Sequence, residues 1–454
     1  MKNYHLIGIG GIGMSGIAIL LLRLGHSVSG SDLKENKSIS DLKSLGVKIY
    51  IGHAKENING ADIVVYSSAI GNDNCEIQEA KKKGIILQRR AKALADLMAK
   101  KTVITVAGSH GKTTTTSLAS CLLIEAGLSP TVAIGGILKN IDTNACIGEG
   151  DFFVAEADES DGSFLDYKPN FSIITNIDRE HLDYYKSFRN QLDAFKKFIM
   201  LTDQKGCLFC CSDDKNLSIL IKGYRNELVT FGLNTEADIY PENIVFNGLF
   251  SEFDCFFKGK FVARFSLRLG GQHNVSNALS VIALGLKLKI GIKCIQNALS
   301  GYKGARRRLE VKFEDRNFMV IDDYAHHPSE IKATLMTCVN LKPKRKLVIF
   351  QPHRFTRTKL LFDEFTRSFD NADYLFVTEI YPAGEEPIAG INGSILSQRL
   401  KEHYKNKQIY FCPKEEVVRK VVNICRPGDL IMTLGAGDIS KISDELAENI
   451  RNKT

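Results

Sequence analysis

The segment VAGSHGKTTTT, residues Val106 to Thr116, decides how the whole chain is interpreted. A β-branched run, Thr102–Ala107, leads into it, and a helical pattern over Thr113–Ala126 follows it. A strand, a glycine loop and a helix that begins with Lys and Thr form a phosphate-binding loop, whose usual spacing is G-x-x-x-x-G-K-[ST]. Here the first glycine comes two residues late. The sequence therefore predicts a triphosphate cradle with a short loop.

The chemistry of this loop follows from its residue types. Lys112 offers a positive charge to the outer phosphates, and the Thr113 hydroxyl suits Mg²⁺. The alternative is a capped helix start with an exposed lysine. The residues predicted to bind ATP here are Gly108, Ser109, His110, Gly111, Lys112, Thr113 and Thr114.

Acidic residues follow two apolar runs, Phe152–Ala157 and Phe171–Ile177, both of which are predicted strands. In parallel sheets, ligands gather at the carboxyl ends of the strands. Glu156 is the natural ligand for a hard cation that prefers oxygen. His181 is a less usual Mg²⁺ ligand, and a solvated loop histidine is an equal alternative. The other acidic residues in these two segments are Asp158, Glu159, Asp161, Asp178, Glu180 and Asp183.

A second glycine turn, GIGGIG, lies near the start of the chain. Gly8, Gly10 and Gly13 fit the G-x-G-x-x-G pattern between a strand and a helix, and Asp32 follows nineteen residues after Gly13. This pattern favours a diphosphate and a ribose, as found in a nicotinamide dinucleotide or equally in a UDP-sugar. A glycine turn without a ligand is the alternative.

Composition narrows the class of protein. The chain has 454 residues and a net charge of +8, with no basic cluster interleaved with aromatic residues, so we expect small anionic substrates rather than nucleic acid. Eleven cysteines are scattered, and the single CxxC at Cys207 has no second pair nearby, so zinc is not expected.

The uncharged segment Leu6–Leu22 contains five glycines and is interpreted as a strand, turn and helix rather than a signal peptide. With no membrane span in the sequence, we expect a cytoplasmic protein.

The order of elements predicts an α/β fold of three domains. These are a Rossmann-like N-terminal domain (1–99), a central P-loop-type ATPase domain with a mainly parallel sheet (100–306), and a Rossmann-like C-terminal domain (307–454). Residues 238–269 alternate in polarity and predict a small antiparallel addition.

Seven motifs in order resemble the Mur ligases, the ATP-dependent enzymes that build the peptidoglycan stem peptide. They are GSHGKTTTT, AEADESDGSF, TNIDREHLDYY, GQHNVSNALS, GARRRLE, DDYAHHPSE and FQPHRFTRT. The match runs from residue 5 to about residue 440, and the short phosphate loop is this family's own variant. Singly, several of these residues have plain alternatives as helix caps or solvated charges, so it is their joint order that carries the resemblance.

The resemblance implies a role for each matched residue. Lys112 would contact the γ-phosphate, Thr113 and Glu156 would bind one Mg²⁺, and His181 would bind a second. The other ATP contacts would come from Asn274, Asn277, Arg308, Asp323 and Tyr324. The UDP-sugar would be held by Gly10, Gly11, Gly13, Asp32, Ser67 and Ser68. The incoming amino acid would meet His326, Arg354 and Arg357, and the catalytic residues would be Lys112, His181 and Arg354.

The resemblance also implies a reaction, in which L-alanine is joined to the lactyl carboxylate of UDP-N-acetylmuramate with consumption of ATP. The third domain would close over the nucleotide. Lys196 falls where sister ligases carry a carbamylated lysine, but an ordinary polar helix position is slightly favoured. Three rivals stay open: a tripeptide ligase that recycles muropeptides, a nicotinamide-dependent oxidoreductase and a non-catalytic nucleotide switch.

Overall fold

The computed structural model describes residues 1–67 and 69–453, which form two compact units. The first unit comprises Met1–Glu242, Asp254–Phe265 and Ser276–Lys303. The second comprises Asn243–Phe253, Ser266–Val275 and Gly304–Thr454. Each unit is an α/β structure and is described separately below.

The first sheet of the first unit has five parallel strands in the order β3-β2-β1-β4-β5. This is the strand order of a Rossmann-like fold, in which the crevice lies beyond the carboxyl ends of the central strands. Its strands are β1 (Asn3–Ile7), β2 (Ser27–Asp32), β3 (Lys48–Ile51), β4 (Ile63–Tyr66) and β5 (Ile86–Arg89). Its helices are α1 (Ile12–Arg23), α2 (Lys37–Ser44), α3 (Cys75–Lys83) and α4 (Arg90–Met98), with a 3₁₀ helix at Lys55–Ile58.

The second sheet has ten strands, in the order β15-β14-β13-β12-β11-β10-β6-β9-β7-β8. Its first five strands in the chain are β6 (Thr102–Ala107), β7 (Thr131–Leu138), β8 (Thr143–Cys146), β9 (Phe152–Glu156) and β10 (Phe171–Ile174). The next five are β11 (Cys207–Cys211), β12 (Leu228–Phe231), β13 (Ile239–Asn247), β14 (Phe250–Phe257) and β15 (Lys260–Leu267). The helices are α5 (Lys112–Glu125), α6 (Leu182–Tyr185), α7 (Phe188–Met200), α8 (Lys215–Leu220), α9 (Gln272–Lys287) and α10 (Ile292–Ser300), with a 3₁₀ helix at Ser163–Asp166.

The centre of this second sheet positions the candidate site. Strand β6 is hydrogen-bonded in parallel to β10 on one side and to β9 on the other. The three segments that follow these strands therefore emerge at one edge of the sheet, as the sequence predicted for the glycine loop and the two acidic runs. Strands β13, β14 and β15 contribute residues to both units.

The third sheet belongs to the second unit and has the order β16-β17-β21-β18-β19-β20. Only its edge strand β16 is antiparallel to its neighbour within the described residues. The strands are β16 (Glu310–Glu314), β17 (Phe318–Asp323), β18 (Arg345–Phe350), β19 (Tyr374–Val377), β20 (Gln408–Phe411) and β21 (Asp429–Leu434). The helices are α11 (Pro328–Val339), α12 (Phe355–Leu360), α13 (Phe362–Phe365), α14 (Gly393–His403), α15 (Lys414–Ile424) and α16 (Ser440–Arg451).

The two faces of the third sheet are both buried, which explains why its strands are apolar. Alternate residues of the third sheet enter two separate clusters: Val348 and Phe350 pack in one, while Leu347 and Ile349 pack in the other. A parallel sheet buried on both faces needs such continuous apolar strands. The predicted α/β fold with mainly parallel sheets is confirmed, whereas β7, β8 and β16 were not predicted from the sequence.

Within the part of the chain that the structure describes, every helix is too short or too polar to cross a membrane.

Candidate nucleotide, metal and sugar site

The phosphate loop is held open by backbone conformations that favour glycine. Gly108 has φ 132° and Gly111 has φ 83°, and Gly111 caps α5. The amides of Ser109 and His110 donate to the backbone and side-chain oxygens of Asn176, at 3.0 and 2.8 Å. These two amides therefore fix the loop to the segment after β10. The first amides of α5 have no partner within the helix and stay available to an anion.

Lys112 is the largely buried charge at the centre of the site. Its Nζ donates to the carbonyl oxygen of Ser109 at 3.1 Å and to Oε1 of Glu159 at 2.9 Å. Burial alone would lower the pKa of Lys112, but the surrounding carboxylates, Glu159 foremost, raise it above its ordinary value. The side chain is therefore a permanent cation placed beside the phosphate loop.

Glu159 is fully buried, and sequence reasoning gave it no role. Burial, together with the nearby carboxylates of Asp158 and Glu180, raises its pKa to about 7, although the Lys112 ammonium opposes this. Its backbone oxygen accepts a hydrogen bond from the Tyr185 hydroxyl. The sequence did contain a signal, since Glu159 lies within the acidic run after β9.

Thr113 and Glu156 form the first candidate metal position. The Thr113 hydroxyl donates to Oε2 of Glu156 at 2.9 Å, and the Gly135 amide donates to the same oxygen at 2.9 Å. A hydroxyl oxygen and a carboxylate oxygen are thus held side by side at the edge of the sheet. Both are ligand types that Mg²⁺ accepts, so these residues fit the expected ion.

His181 belongs to a second cluster. It has φ 55°, and its Nε2 lies 3.9 Å from Oε1 of Glu159 and 3.8 Å from Oε2 of Glu180. One ligand atom from each of these three residues lies within 4.8 Å of the other two. Two carboxylates and an imidazole fit a divalent cation, so His181 is placed beside potential co-ligands rather than in a solvated loop.

The two asparagines of the GQHNVSNALS motif lie in the first turns of α9. Asn277 packs against the phosphate loop, because a methyl group added to Gly111 would lie 2.7 Å from its Oδ1. Asn274 lies in the second unit, where its Nδ2 donates to the carbonyl oxygen of Gly270 at 2.8 Å.

The N-terminal glycine turn is braced by two polar side chains. Oδ2 of Asp32 accepts from the Gly10 amide at 2.9 Å, and Nδ2 of Asn36 donates to the Gly10 carbonyl at 3.1 Å. A side chain at Gly10 would overlap both groups. Asp32 thus shapes the turn itself, in addition to the sugar contact predicted from the sequence.

Other residues lie close to this turn. Ser67 follows β4, and its Cβ would lie 3.8 Å from a methyl group at Gly8. Gly11 is exposed before α1, whereas Ser68 lies outside the described residues. Arg90, which sequence reasoning missed, places its guanidinium over Gly13.

In the second unit, Arg308, Asp323 and Tyr324 are neighbours. Asp323 accepts from the amides of Leu309 and Ala325 at 2.6 and 2.8 Å. Burial raises the pKa of Asp323 to about 6, although Arg308 and these hydrogen bonds oppose the shift. The Arg308 guanidinium stacks 5.1 Å from the centre of the Tyr324 ring. The unit therefore brings these three predicted residues together.

The three residues predicted to meet the amino acid surround His353. The His326 and His353 rings are 5.7 Å apart, and Nη1 of Arg357 lies 3.1 Å from Nδ1 of His353. Arg354 has φ 69°, a strained value for a non-glycine residue. Burial, then the nearby cations, lower the pKa of His353 to about 2, so this ring stays neutral. Sequence reasoning missed His353 because nothing local predicts that these three residues surround it.

These features define a nucleotide-binding α/β protein that carries a phosphate loop on one sheet and a second glycine turn on another. Comparison with known families identifies the class of protein: the chain belongs to the Mur ligase family. Residues 3–102 match the model described as "Mur ligase family, catalytic domain", residues 106–285 the "Mur ligase middle domain" and residues 307–437 the "Mur ligase, glutamate ligase domain".

The chain is similar to its relatives along nearly its full length. The UDP-N-acetylmuramate–L-alanine ligase of Geotalea uraniireducens is 44% identical over 99% of this chain and 98% of its own. The crystal structure of the UDP-N-acetylmuramate-alanine ligase of Thermotoga maritima is 32% identical and has a TM-score of 0.87, with all of both chains covered. A murein peptide ligase of Psychrobacter arcticus is 23% identical with a TM-score of 0.73, covering 100% of this chain and 99% of its own, and shares the fold.

Proposed function

We propose that this protein joins L-alanine to the lactyl carboxylate of UDP-N-acetylmuramate, with conversion of ATP to ADP and phosphate, in the synthesis of peptidoglycan precursors. The observation that carries the proposal is the placement of Lys112, Thr113 and Glu156 at the adjoining ends of β6 and β9. The full-length relatives that are named for this reaction support it.

The reaction requires an activated acid, because a carboxylate repels nucleophiles. A carboxylate oxygen attacks the γ-phosphorus of ATP, the bond to the β-phosphate oxygen breaks and ADP leaves. The amine of L-alanine then attacks the acyl phosphate, loses a proton and expels phosphate. The residues contribute alignment and charge neutralisation: Lys112 would neutralise charge on the γ-phosphate, and the amides that begin α5 would donate hydrogen bonds to the phosphate oxygens.

Two metal positions are proposed within the first unit. Thr113 and Glu156 would hold one Mg²⁺, and His181 would hold a second with Glu159 and Glu180. Bound there, Mg²⁺ would neutralise charge on the phosphates. A metal-bound His181 is a poor general base, so we do not assign it the amine proton.

The remaining roles extend the same proposal. Residues 1–99 are assigned to UDP-sugar binding, 100–306 to ATP and 307–454 to the amino acid. Arg308, Asp323 and Tyr324 are assigned to the nucleotide, and His326, Arg354 and Arg357 to L-alanine and the acyl phosphate. A cytoplasmic location is proposed because the eleven cysteines are all free, which is typical of a reducing compartment.

The test is phosphate release with ATP, Mg²⁺ and UDP-N-acetylmuramate, offering each amino acid and then L-alanyl tripeptide. The proposal expects release to depend on both the UDP-sugar and L-alanine. Preference for the tripeptide would instead support the recycling ligase. Hydride transfer to a nicotinamide, or ATP binding without turnover, would overturn the assignment.

A further inference from the structure

Arg90 occupies the glycine turn of the first sheet. It is the first residue of α4, and its side chain reaches across to the start of α1. A methyl group added to Gly13 would overlap Nη1 of Arg90 and would lie 3.3 Å from its Cδ and 3.4 Å from its Cζ. The absence of a side chain at Gly13 is therefore what lets the guanidinium lie there.

The other end of the guanidinium is anchored to Asp158, in the segment that follows β9 of the second sheet. Nη2 of Arg90 lies 3.0 Å from Oδ2 of Asp158, and Oδ1 of Asp158 accepts from the Ser160 amide at 3.0 Å. The Arg90 side chain is 22% exposed, so the pair is partly shielded from water. Asp158 immediately precedes Glu159, the partner of Lys112, so one short segment contacts both cations.

The geometry fixes the pair through both oxygens of the carboxylate. Nη2 of Arg90 donates to Oδ2 of Asp158, while the Ser160 amide holds the other oxygen. The guanidinium is therefore positioned before any ligand arrives.

We propose that Arg90 binds anionic oxygens of the UDP-sugar at the α1 turn, held in place by its ion pair with Asp158. This inference rests on the function proposed above and adds a substrate contact that neither glycine motif reveals. An arginine presents five donors in a planar fork, so one edge can hold Asp158 while the other meets a phosphate or a carboxylate. The fork then connects the sugar turn to the segment beside Lys112.

The test is calorimetric binding of UDP-N-acetylmuramate, UDP-N-acetylglucosamine, UDP and ATP to the full-length protein and to Arg90→Ala. We expect the Kd for UDP-N-acetylmuramate to rise about 10- to 100-fold, the usual effect of losing a charge-assisted hydrogen bond, with ATP binding unchanged. Lys92→Ala is the matched control, because Lys92 lies on the same helix in an exposed pair with Asp96. It should bind every ligand as the wild type does.

Comparison of the three UDP compounds identifies which anionic group Arg90 contacts. Weaker binding of UDP and UDP-N-acetylglucosamine as well assigns Arg90 to the diphosphate. Weaker binding of UDP-N-acetylmuramate alone assigns it to the lactyl carboxylate, which the glucosamine compound lacks. An unchanged Kd for UDP-N-acetylmuramate, or an equal loss for ATP, overturns the inference and leaves Arg90 as a structural ion pair.

A second variant keeps the test decisive if Arg90→Ala does not fold. Arg90→Lys retains the charge but has a single ammonium, which cannot hold Asp158 and a ligand in the same planar way. We expect an intermediate Kd and a raised KM for the UDP-sugar, with KM for ATP unchanged. Wild-type values would overturn the inference. Failure of the wild type to bind the UDP-sugar would instead refute the proposed function.

Discussion

Nζ of Lys112 lies 2.9 Å from Oε1 of Glu159, and the two side chains are 14% and 0% exposed. An ion pair this deeply buried is weak evidence for stability, because desolvation offsets much of the attraction. Its location between the phosphate loop and the segment after β9 indicates a functional role. The carboxylate holds the lysine beside the position where the γ-phosphate is proposed to bind.

Lys112→Ala should lower phosphate release by about 10²- to 10³-fold, the range found when one preorganised charge-stabilising donor is removed. The Kd for the UDP-sugar should stay within about twofold, because the sugar turn lies on another sheet and Arg90 is untouched. Phosphate release and calorimetry measure the two effects, and circular dichroism checks the fold. Full activity in this variant would refute the role of Lys112.

Thr113→Val should raise the Mg²⁺ concentration needed for half-maximal activity by roughly tenfold or more, because the hydroxyl beside Glu156 is lost while the shape is kept. Thr113→Ser keeps the hydroxyl and should recover most of the wild-type Mg²⁺ response. Phosphate release is measured across a Mg²⁺ titration. If the valine and serine variants respond alike, Thr113 is not a metal ligand.

Gly108→Ala should destabilise the first unit by about 2–3 kcal/mol. Its φ of 132° strains any other residue, and its new methyl group would lie 3.0 Å from the Asn176 backbone oxygen, which cannot move aside cheaply. Gly127→Ala is the control: it has φ 70° and nothing within 4 Å, so we expect about 1 kcal/mol. Urea unfolding gives both values, and equal losses would contradict the packing argument.

Glu76 should make the first unit sensitive to acid. It is fully buried, and its carboxylate accepts from Ser31 and Asn57 at 2.6 Å each. Burial alone would raise its pKa, but His5, Ser31 and Asn57 lower it to about 2. A lowered pKa means that the stabilisation is present above the ordinary value of 4.5 and is lost as the pH falls toward about 2.

Glu76→Gln should therefore cost on the order of 2 kcal/mol at neutral pH and flatten the loss of stability below about pH 4.5. Unfolding by urea at a series of pH values measures both effects. Glu56→Gln, at an exposed position two residues into a 3₁₀ helix, should leave the profile unchanged. A Glu76→Gln profile parallel to that of the wild type would contradict the assignment.

Lys196→Ala should retain wild-type turnover and should not respond to added bicarbonate. Lys196 is exposed on α7, whose buried face is formed by Gln191, Phe195 and Phe198 instead. An exposed lysine has no means of bridging the metal positions as a carbamate. Phosphate release with and without bicarbonate checks this. If the variant loses activity, and if bicarbonate changes turnover in the wild type but not in the variant, the conclusion is reversed.

The local sequence pattern predicted many of the strands and helices. The strand Thr102–Ala107 was predicted to the residue, and the helix after it began one residue earlier than expected. The edge strands β8 and β16 were missed because short antiparallel edge strands with mixed burial have no continuous apolar run. The predicted grouping of carboxylates around Lys112 followed from the general rule about strand ends in parallel sheets.

The sequence by itself determined the two glycine turns, the alternation of strands and helices and the residue types available to phosphate and metal, because these depend on neighbours within a few positions. The tertiary structure alone decided that Arg90 meets Asp158, 68 residues further along, and that Glu159 is buried against Lys112, 47 residues before it. Those partners are brought together by the strand order β10-β6-β9 and by the packing of α1 against β7 and β8 and of α4 against the 3₁₀ helix Ser163–Asp166. The spacing of residues along the chain does not encode either arrangement.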